Sequence, residues 1–267
     1  MRKHIILAAL PLAILAVSCN NATIDEKIAQ YNAAVEQQYD QAQQQLDAIL
    51  ANDTLTAEQK DAQAEVQADE VYAKIKTMAI KTIRRNGGNA LGLAALKDVS
   101  YLLDAAEIEK VLPYMKGENA NSKVVESLRR VIETAEGKMF TDFEVDGVKF
   151  SEFVGNGKYV LVDFWASWCG PCKQEIPNIA KVYSTYAGEN FDVLSIAVWD
   201  EPQNTAVAAA EHGVVWNQIV NAQRIPTDLY GIMGIPQIML FGPDGTILKR
   251  DLRGSAIEEA VREALGR

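Results

Sequence analysis

Zinc-binding residue types are scarce in this chain. Its 267 residues include three cysteines and two histidines: Cys19, Cys169, Cys172, His4 and His212. A structural zinc site takes four nitrogen or sulfur ligands. With Cys19 assigned to another role below, one cysteine pair cannot supply them, and His212 in "AEHGVVW" reads as a surface residue at a helix end. No metal is expected. Positive charge is scarce as well, since 26 Lys and Arg stand against 36 Asp and Glu, for a formal −10. Such a surface repels phosphate backbones, so nucleic acid is not expected as a partner. No apolar run reaches the ~20 residues of a typical membrane-spanning helix. Glycine and proline are absent from Ile24 to Asn52, so nothing in that stretch interrupts a helix.

What is present begins with a leader. "MRKH" is a short basic start, "IILAALPLAILAV" is an apolar run, and small residues lead up to Cys19. This is the pattern of a secretory signal over residues 1–18. "AVSC" resembles a bacterial lipobox, with Ala16 where leucine is commoner, and Cys19 is expected to be a lipidated N-terminus that anchors the protein to a membrane. The alternatives are an ordinary leader with a free Cys19, or a retained anchor. Cleavage removes Arg2 and Lys3 and no acid, taking the charge from −10 to −12. In either case the protein is expected in the cell envelope, facing the periplasm, where oxidised cysteine pairs persist.

Composition divides the mature chain near Gly137, giving an all-α part over 19–137 and an α/β part over 138–267. In the first part, apolar residues recur at Ile24, Ile28, Tyr31, Val35, Ala42, Leu46 and Ile49, which is helical spacing. Thr54 and Thr56 with Glu58 and Gln59 read as the N-cap of a second long helix, whose stripe runs through Val66, Tyr72, Ile75, Met78, Ala79 and Ile83 until "NGG" stops it. Shorter helices are predicted over Asn89–Leu96, Ala105–Met115 and Ser122–Glu136. Tyr31, Tyr39 and Tyr72 are expected to pack in a core, and the run "EQQYDQAQQQ" to form a solvated face. After Gly137 come short extended runs separated by turns, with Asp146-Gly147 as a hairpin signal. "YVLVDFWA" and "FDVLSIAVWD" read as buried strands, "TAVAAAEHG" as a helix, "PQIMLFG" and "TILKRDL" as strands, and Ser255 to Leu265 as a closing helix. Alternation of this kind argues for an α/β domain with central strands covered on both faces.

The chemistry concentrates in "WASWCGPCKQEIP". A thiol attacks a disulfide as its thiolate, and a free cysteine with pKa ~8.5 is mostly protonated at neutral pH. If a helix begins after the strand "VDFWA", Cys169 sits at its N-terminus, where unpaired N–H groups and the helix dipole favour the anion. Cys172, one turn on, is placed to resolve the mixed disulfide that Cys169 forms, and one helical turn supplies the Cα separation that a disulfide requires. Gly170 and Pro171 allow a tight entry into the first turn.

"VLVDFWASWCGPC" with Pro177, and "GIPQIMLFGPDG" some sixty residues on, resemble the thioredoxin superfamily. "KYVLVDFWASWCGPCKQEIPNIAKVY" and "GPDGTILKRDLRG" resemble, more narrowly, its envelope-anchored TlpA/ResA group of thiol-disulfide oxidoreductases, over Met139 to Arg267. The resemblance implies a thioredoxin fold, a central mixed sheet flanked by helices with an N-terminal β-hairpin extension, following the all-α domain. It implies a redox-active Cys169–Cys172 disulfide and no other cofactor. By position match it makes Asp163 the buried acid that handles the Cys172 proton, Glu175 an acid tuning the cysteine pair, and Pro236 a cis-proline facing the disulfide. Ile235 would then offer backbone groups to a bound peptide, with Trp168, Gly170 and Pro171 beside it and Trp165 and Trp168 shielding one side; Pro177 reads as a helix kink. The Gly-Pro pair between the cysteines is that of reducing thioredoxins, whose potential is near about −270 mV against about −120 mV for DsbA. A reductant is therefore expected, acting on oxidised envelope proteins and re-reduced by a membrane electron transporter of the DsbD or CcdA kind. Two other readings stay open: a thiol peroxidase, and a partner-binding lipoprotein whose redox domain is secondary.

Overall fold

The computed structural model describes residues 22–267; the leader and Cys19 lie outside the described residues. Five α-helices come first: α1 (Ile24–Leu50), α2 (Ala57–Asn86), α3 (Ala90–Val99), α4 (Ala105–Val111) and α5 (Lys123–Glu133). Their starts are set locally. Thr23 and Glu26, Thr56 and Gln59, and Asp104 and Glu107 each exchange side-chain-to-backbone hydrogen bonds three residues apart, occupying N–H groups that a helix start leaves free. Ile75, Ala79 and Ile83 of α2 meet Ala95, Leu96 and Val99 of α3 and Ile108 and Leu128 beyond them in one core.

Two expectations fail in this part. The helix predicted to reach Met115 ends at Val111 and gives way to a 3₁₀ turn over Leu112–Tyr114, because Pro113 has no N–H to continue the ladder. Of the three tyrosines expected in the core, Tyr31 is buried, but Tyr39 and Tyr72 are 40% and 39% exposed. Periodicity marks the face correctly, but α1 packs chiefly against α2 and α3, which leave the outer part of that face largely uncovered. Val66 is exposed for the same reason. The Tyr39 hydroxyl pairs instead with that of Tyr101 at 3.1 Å.

The second part opens with a hairpin of β1 (Glu144–Val145) and β2 (Val148–Lys149), Val145 opposite Val148. Asp146 and Gly147 both take positive φ, 51° and 86°, as a two-residue hairpin turn of this type requires. A five-stranded sheet follows, built from β3 (Tyr159–Trp165), β4 (Phe191–Ala197), β5 (Asn217–Ile219), β6 (Gln237–Phe241) and β7 (Ile247–Lys249). Its order is β5-β4-β3-β6-β7, with β3, β4 and β5 parallel and β6 antiparallel to both β3 and β7. The last strand is shorter than "TILKRDL". Helices α6 (Gly170–Tyr186), α7 (Pro202–Glu211), α8 (Ile225–Tyr230) and α9 (Ser255–Ala264) complete the flanking layers. Strand β3 is central, and its side chains alternate between two cores. Leu161 and Trp165 pack with α6 and α9, while Val160, Val162 and Phe164 pack with Phe150 and Tyr230.

The helical part is seated on the α/β part through α5 and α8. Arg250 donates from one guanidinium nitrogen to the carbonyl and hydroxyl of Thr134, at 2.7 and 2.6 Å, and from another to the carbonyl of Tyr230 at 3.1 Å. Gly231 closes α8 with φ 65°, and a Cβ there would lie 2.3 Å from the Ser127 carbonyl oxygen. Only glycine fits that backbone approach. Among the described residues no helix is long and apolar enough to cross a membrane.

Candidate active site

Cys169 is the N-cap of α6. Its Sγ accepts the backbone N–H of Cys172 at 3.1 Å, and the two residues are joined as a disulfide with Cα atoms 5.3 Å apart. A sulfur that receives a helix N-terminal N–H is held where negative charge is favoured once the disulfide opens. Both cysteines are buried, Cys169 at 3% and Cys172 at 1% exposure, whereas Trp168, Gly170 and Pro171 are exposed around them. The tryptophans divide: Trp168 lies on the surface with its indole N–H on the Trp199 carbonyl at 3.0 Å, while Trp165 is enclosed in the core beneath. Trp165 therefore supports the site from below, and only Trp168 can shield it from solvent. Pro177 lies within α6.

Beneath the cysteines, strand parity places Asp163 on the β3 face that carries Leu161 and Trp165, the face that α6 covers. Asp163 is fully buried. One carboxylate oxygen accepts the Ser195 hydroxyl at 3.3 Å, and the other has no partner. Ser195 stands directly across from Asp163 on β4 and in turn accepts the indole N–H of Trp216 at 2.9 Å. Burial pushes the Asp163 pKa up to about 7, with Ser195 and the Arg253 charge opposing and Glu175 adding to the rise. A group poised there takes up and gives back a proton near neutral pH.

Glu175, one turn past Cys172, is half-buried, and one of its oxygens accepts from Asn178 Nδ2 at 2.9 Å and from the Gly254 N–H at 3.0 Å. It thereby ties α6 to the start of α9. The Ile235–Pro236 peptide is cis. Pro236 is buried, its carbonyl receives the guanidinium of Arg253, and Ile235 before it is partly exposed.

Sequence reasoning missed three groups that shape this site. Asp200 pins the loop before Cys169 by accepting from the Ser167 N–H at 2.7 Å and its hydroxyl at 2.9 Å, as well as from the Thr205 hydroxyl at 2.8 Å. Burial works to raise its pKa, but these donors outweigh it and hold the carboxyl below the usual range. The available signal was an Asp closing a buried strand just ahead of Glu-Pro. Ser195 and Arg253 gave no such signal, since each acts on residues far away in the chain.

The AhpC/TSA family model matches residues 134–250. Among curated proteins, the chain is 28% identical over 138 residues to the thiol-disulfide oxidoreductase ResA of Halalkalibacterium halodurans, covering 51% of this chain and 76% of that protein. It is 38% identical over 79 residues to a thioredoxin of Malassezia sympodialis, covering 30% of this chain and 75% of the other. Among solved structures, the thioredoxin domain of a thiol-disulfide oxidoreductase from Bacteroides vulgatus is 29% identical, with 49% of this chain and 95% of that one covered and a TM-score of 0.42. With a relative 38% identical and covered over 75% of its length, and ResA thiol-disulfide oxidoreductases among its more distant relatives, the chain belongs to the thioredoxin superfamily.

Proposed function

We propose that the protein reduces disulfides of exported proteins at the cell envelope, held there by a lipid on Cys19. The observation that carries the chemistry is the Cys169–Cys172 disulfide at the N-terminus of α6 with Asp163 buried below it. In the reduced enzyme, the Cys169 thiolate attacks one sulfur of a target disulfide. The target S–S bond breaks, a mixed disulfide forms, and the departing target sulfur takes up a proton. Cys172 then loses its proton to Asp163 and attacks Cys169 Sγ, releasing the second target sulfur as a thiol. Two electrons pass to the target, and the enzyme is left with the disulfide seen in the structure. Ile235, just before the cis peptide, offers its backbone to the target chain, while Glu175 holds the helix that carries the pair.

The Gly170-Pro171 pair supports the reducing direction. Turnover in an oxidising compartment then requires electrons from a membrane transporter of the DsbD or CcdA kind. A peroxidase reading has little support from the site, because a peroxidatic cysteine would follow Thr or Ser and stand alone, whereas Cys169 follows Trp168 and is paired. Equilibration of the purified protein with dithiothreitol or glutathione buffers tests the direction: a potential near about −270 mV is expected, and one near about −120 mV would reverse it. The Cys172→Ala variant tests the chemistry by accumulating mixed disulfides with target proteins through Cys169. If no such adducts form, the exchange mechanism is wrong.

A further inference from the structure

A groove of ≈ 530 Å³ runs along the seam between the helical part and the cis-proline loop, a size suited to a few residues of a bound chain. The α/β wall contributes Met233, Ile235 and Pro236, and the helical wall contributes Lys97 and Tyr101 from the end of α3 and the turn after it. The ring of Tyr101 is 57% exposed although its hydroxyl is anchored to Tyr39. It is thus an aromatic surface held at its hydroxyl and open to solvent over much of its area.

The charge of the groove runs against that of the protein. Its lining carries Lys97, Arg250 and Arg253 against a single carboxylate, Asp251, in a chain whose formal charge is −10. The arginines are bonded to neutral oxygens: Arg250 to Thr134 and to the Tyr230 carbonyl, Arg253 to the carbonyls of Leu252 and Pro236. Lys97 is exposed and makes no ion pair among the described residues. None of the three cations forms an ion pair within 4.0 Å among the described residues. Asp251 acts on both arginines, Glu136 on Arg250, and Glu175 and Asp163 on Arg253, so Lys97 is the cation of the lining left open to a ligand. A cationic recess in an acidic molecule attracts a negative group locally while the rest of the surface repels it.

We propose that the helical part forms the second wall of the substrate site, so that Lys97 and Tyr101 select extended target segments that carry an acidic side chain and an apolar or aromatic neighbour next to the cysteine being reduced. The segment lies along Ile235, its apolar side chain rests on Tyr101 and Met233, and its carboxylate faces Lys97 and the Arg253 edge. This deepens the oxidoreductase reading and rests on it for the position of the target cysteine.

The test uses the purified protein in its disulfide form and two fluorescent peptides of equal length, identical except that one has Glu and the other Lys beside a serine replacing the target cysteine. Binding is followed by anisotropy at about 0.15 M ionic strength, where surface charges beyond about 8 Å are largely screened. The Glu peptide is expected to bind about tenfold more tightly than the Lys peptide, because the exchange replaces one attractive screened charge contact by a repulsive one while the aromatic contact is common to both. The Lys97→Glu/Tyr101→Ala double variant should abolish or invert that ratio, and Lys97→Arg should keep it. Both double-variant positions are on the surface, so folding is not at stake. Equal affinities in the unaltered protein, or a preference that survives the double variant, would overturn the proposal. Because no turnover is needed, this outcome is separate from failure of the reductase reading, which would show as normal peptide selectivity without mixed-disulfide formation.

Discussion

Strand β3 buries six of its seven residues, whereas α1 buries one of its 27. The first is specified by what surrounds it, with two cores and a neighbour on each side, and the second by its own ends. A helix with so little buried surface draws its persistence from caps, side-chain spacing and one packed seam. The contrast extends to chemistry. Buried ionisable and hydrogen-bonding groups of the α/β part, such as Asp163, Ser195 and Asp200, sit where water is excluded and small geometric changes matter. In the helical part Tyr31 is buried, but Tyr39, Tyr72 and Lys97 are exposed and can meet another molecule. One part stores the reactivity and the other presents a surface.

The sharpest way to break this contrast is Cys169→Ser. It should eliminate dithiothreitol-driven insulin reduction altogether, while no single exposed side chain of α1 is expected to do so. Loss of turnover on altering an α1 surface residue would show that the division is false.

Asp163 should give the next largest effect. Its folded pKa, about 7, lies above the ordinary 3.8, so the oxidised fold binds a proton more tightly than the unfolded chain does. The stability contributed is complete below about pH 4 and is lost as pH rises through 7. A difference of this size between the folded and unfolded chain corresponds to roughly 4 kcal/mol as an upper bound. Asp163→Asn should therefore stabilise the oxidised protein at pH 8 by a few kcal/mol and flatten the pH dependence of urea unfolding, while slowing release of a trapped mixed disulfide. A variant with an unchanged pH profile would mean that Asp163 titrates normally.

Gly231→Ala probes the boundary between the parts. The new methyl meets the Ser127 carbonyl and a left-handed backbone disfavours it, at a cost on the order of 2 kcal/mol. Hydrogen exchange in α5 and α8 should accelerate before that of β3; uniform acceleration would show that the seam is not a separate weak point. The smallest effect is expected for Val66→Ala on the exposed stripe of α2, within about 0.5 kcal/mol, against about 3 kcal/mol for Ile196→Ala in β4. Comparable losses in urea unfolding would mean that α2 is covered in solution by something else.

Much of this architecture can be read from short stretches of sequence, for reasons that are themselves local. The Thr56–Gln59 cap, the Asp146-Gly147 turn and the three-residue cysteine spacing each depend on neighbours within one turn of chain. The alternation of strands and helices after Gly137 follows from composition. The end of α4 is misread although its signal is local, because apolar spacing continues past Pro113 to Met115 while the helix stops at Val111. The exposure of Tyr39 and Tyr72 is not legible, because periodicity reports which side of a helix is apolar and says nothing of how much neighbouring structure exists to cover it. In the site, Ser195 meets Asp163 only through the register of two strands 32 residues apart, and Arg253 reaches the cis-proline loop only because β7 lies beside β6. Such pairings are products of topology and leave no mark in a window of sequence.

Gly231 and Pro236 are five residues apart in one continuous run. At one end this run is wedged against α5 by the close approach at Ser127, and at the other it ends in the cis peptide at Pro236, whose carbonyl receives Arg253. It is a short transmission rod with both ends engaged. A ligand of the helical surface that displaced α5 would press on this run at Gly231. By thermodynamic reciprocity, a target protein docked on the loop would then alter the affinity of that ligand by the same factor.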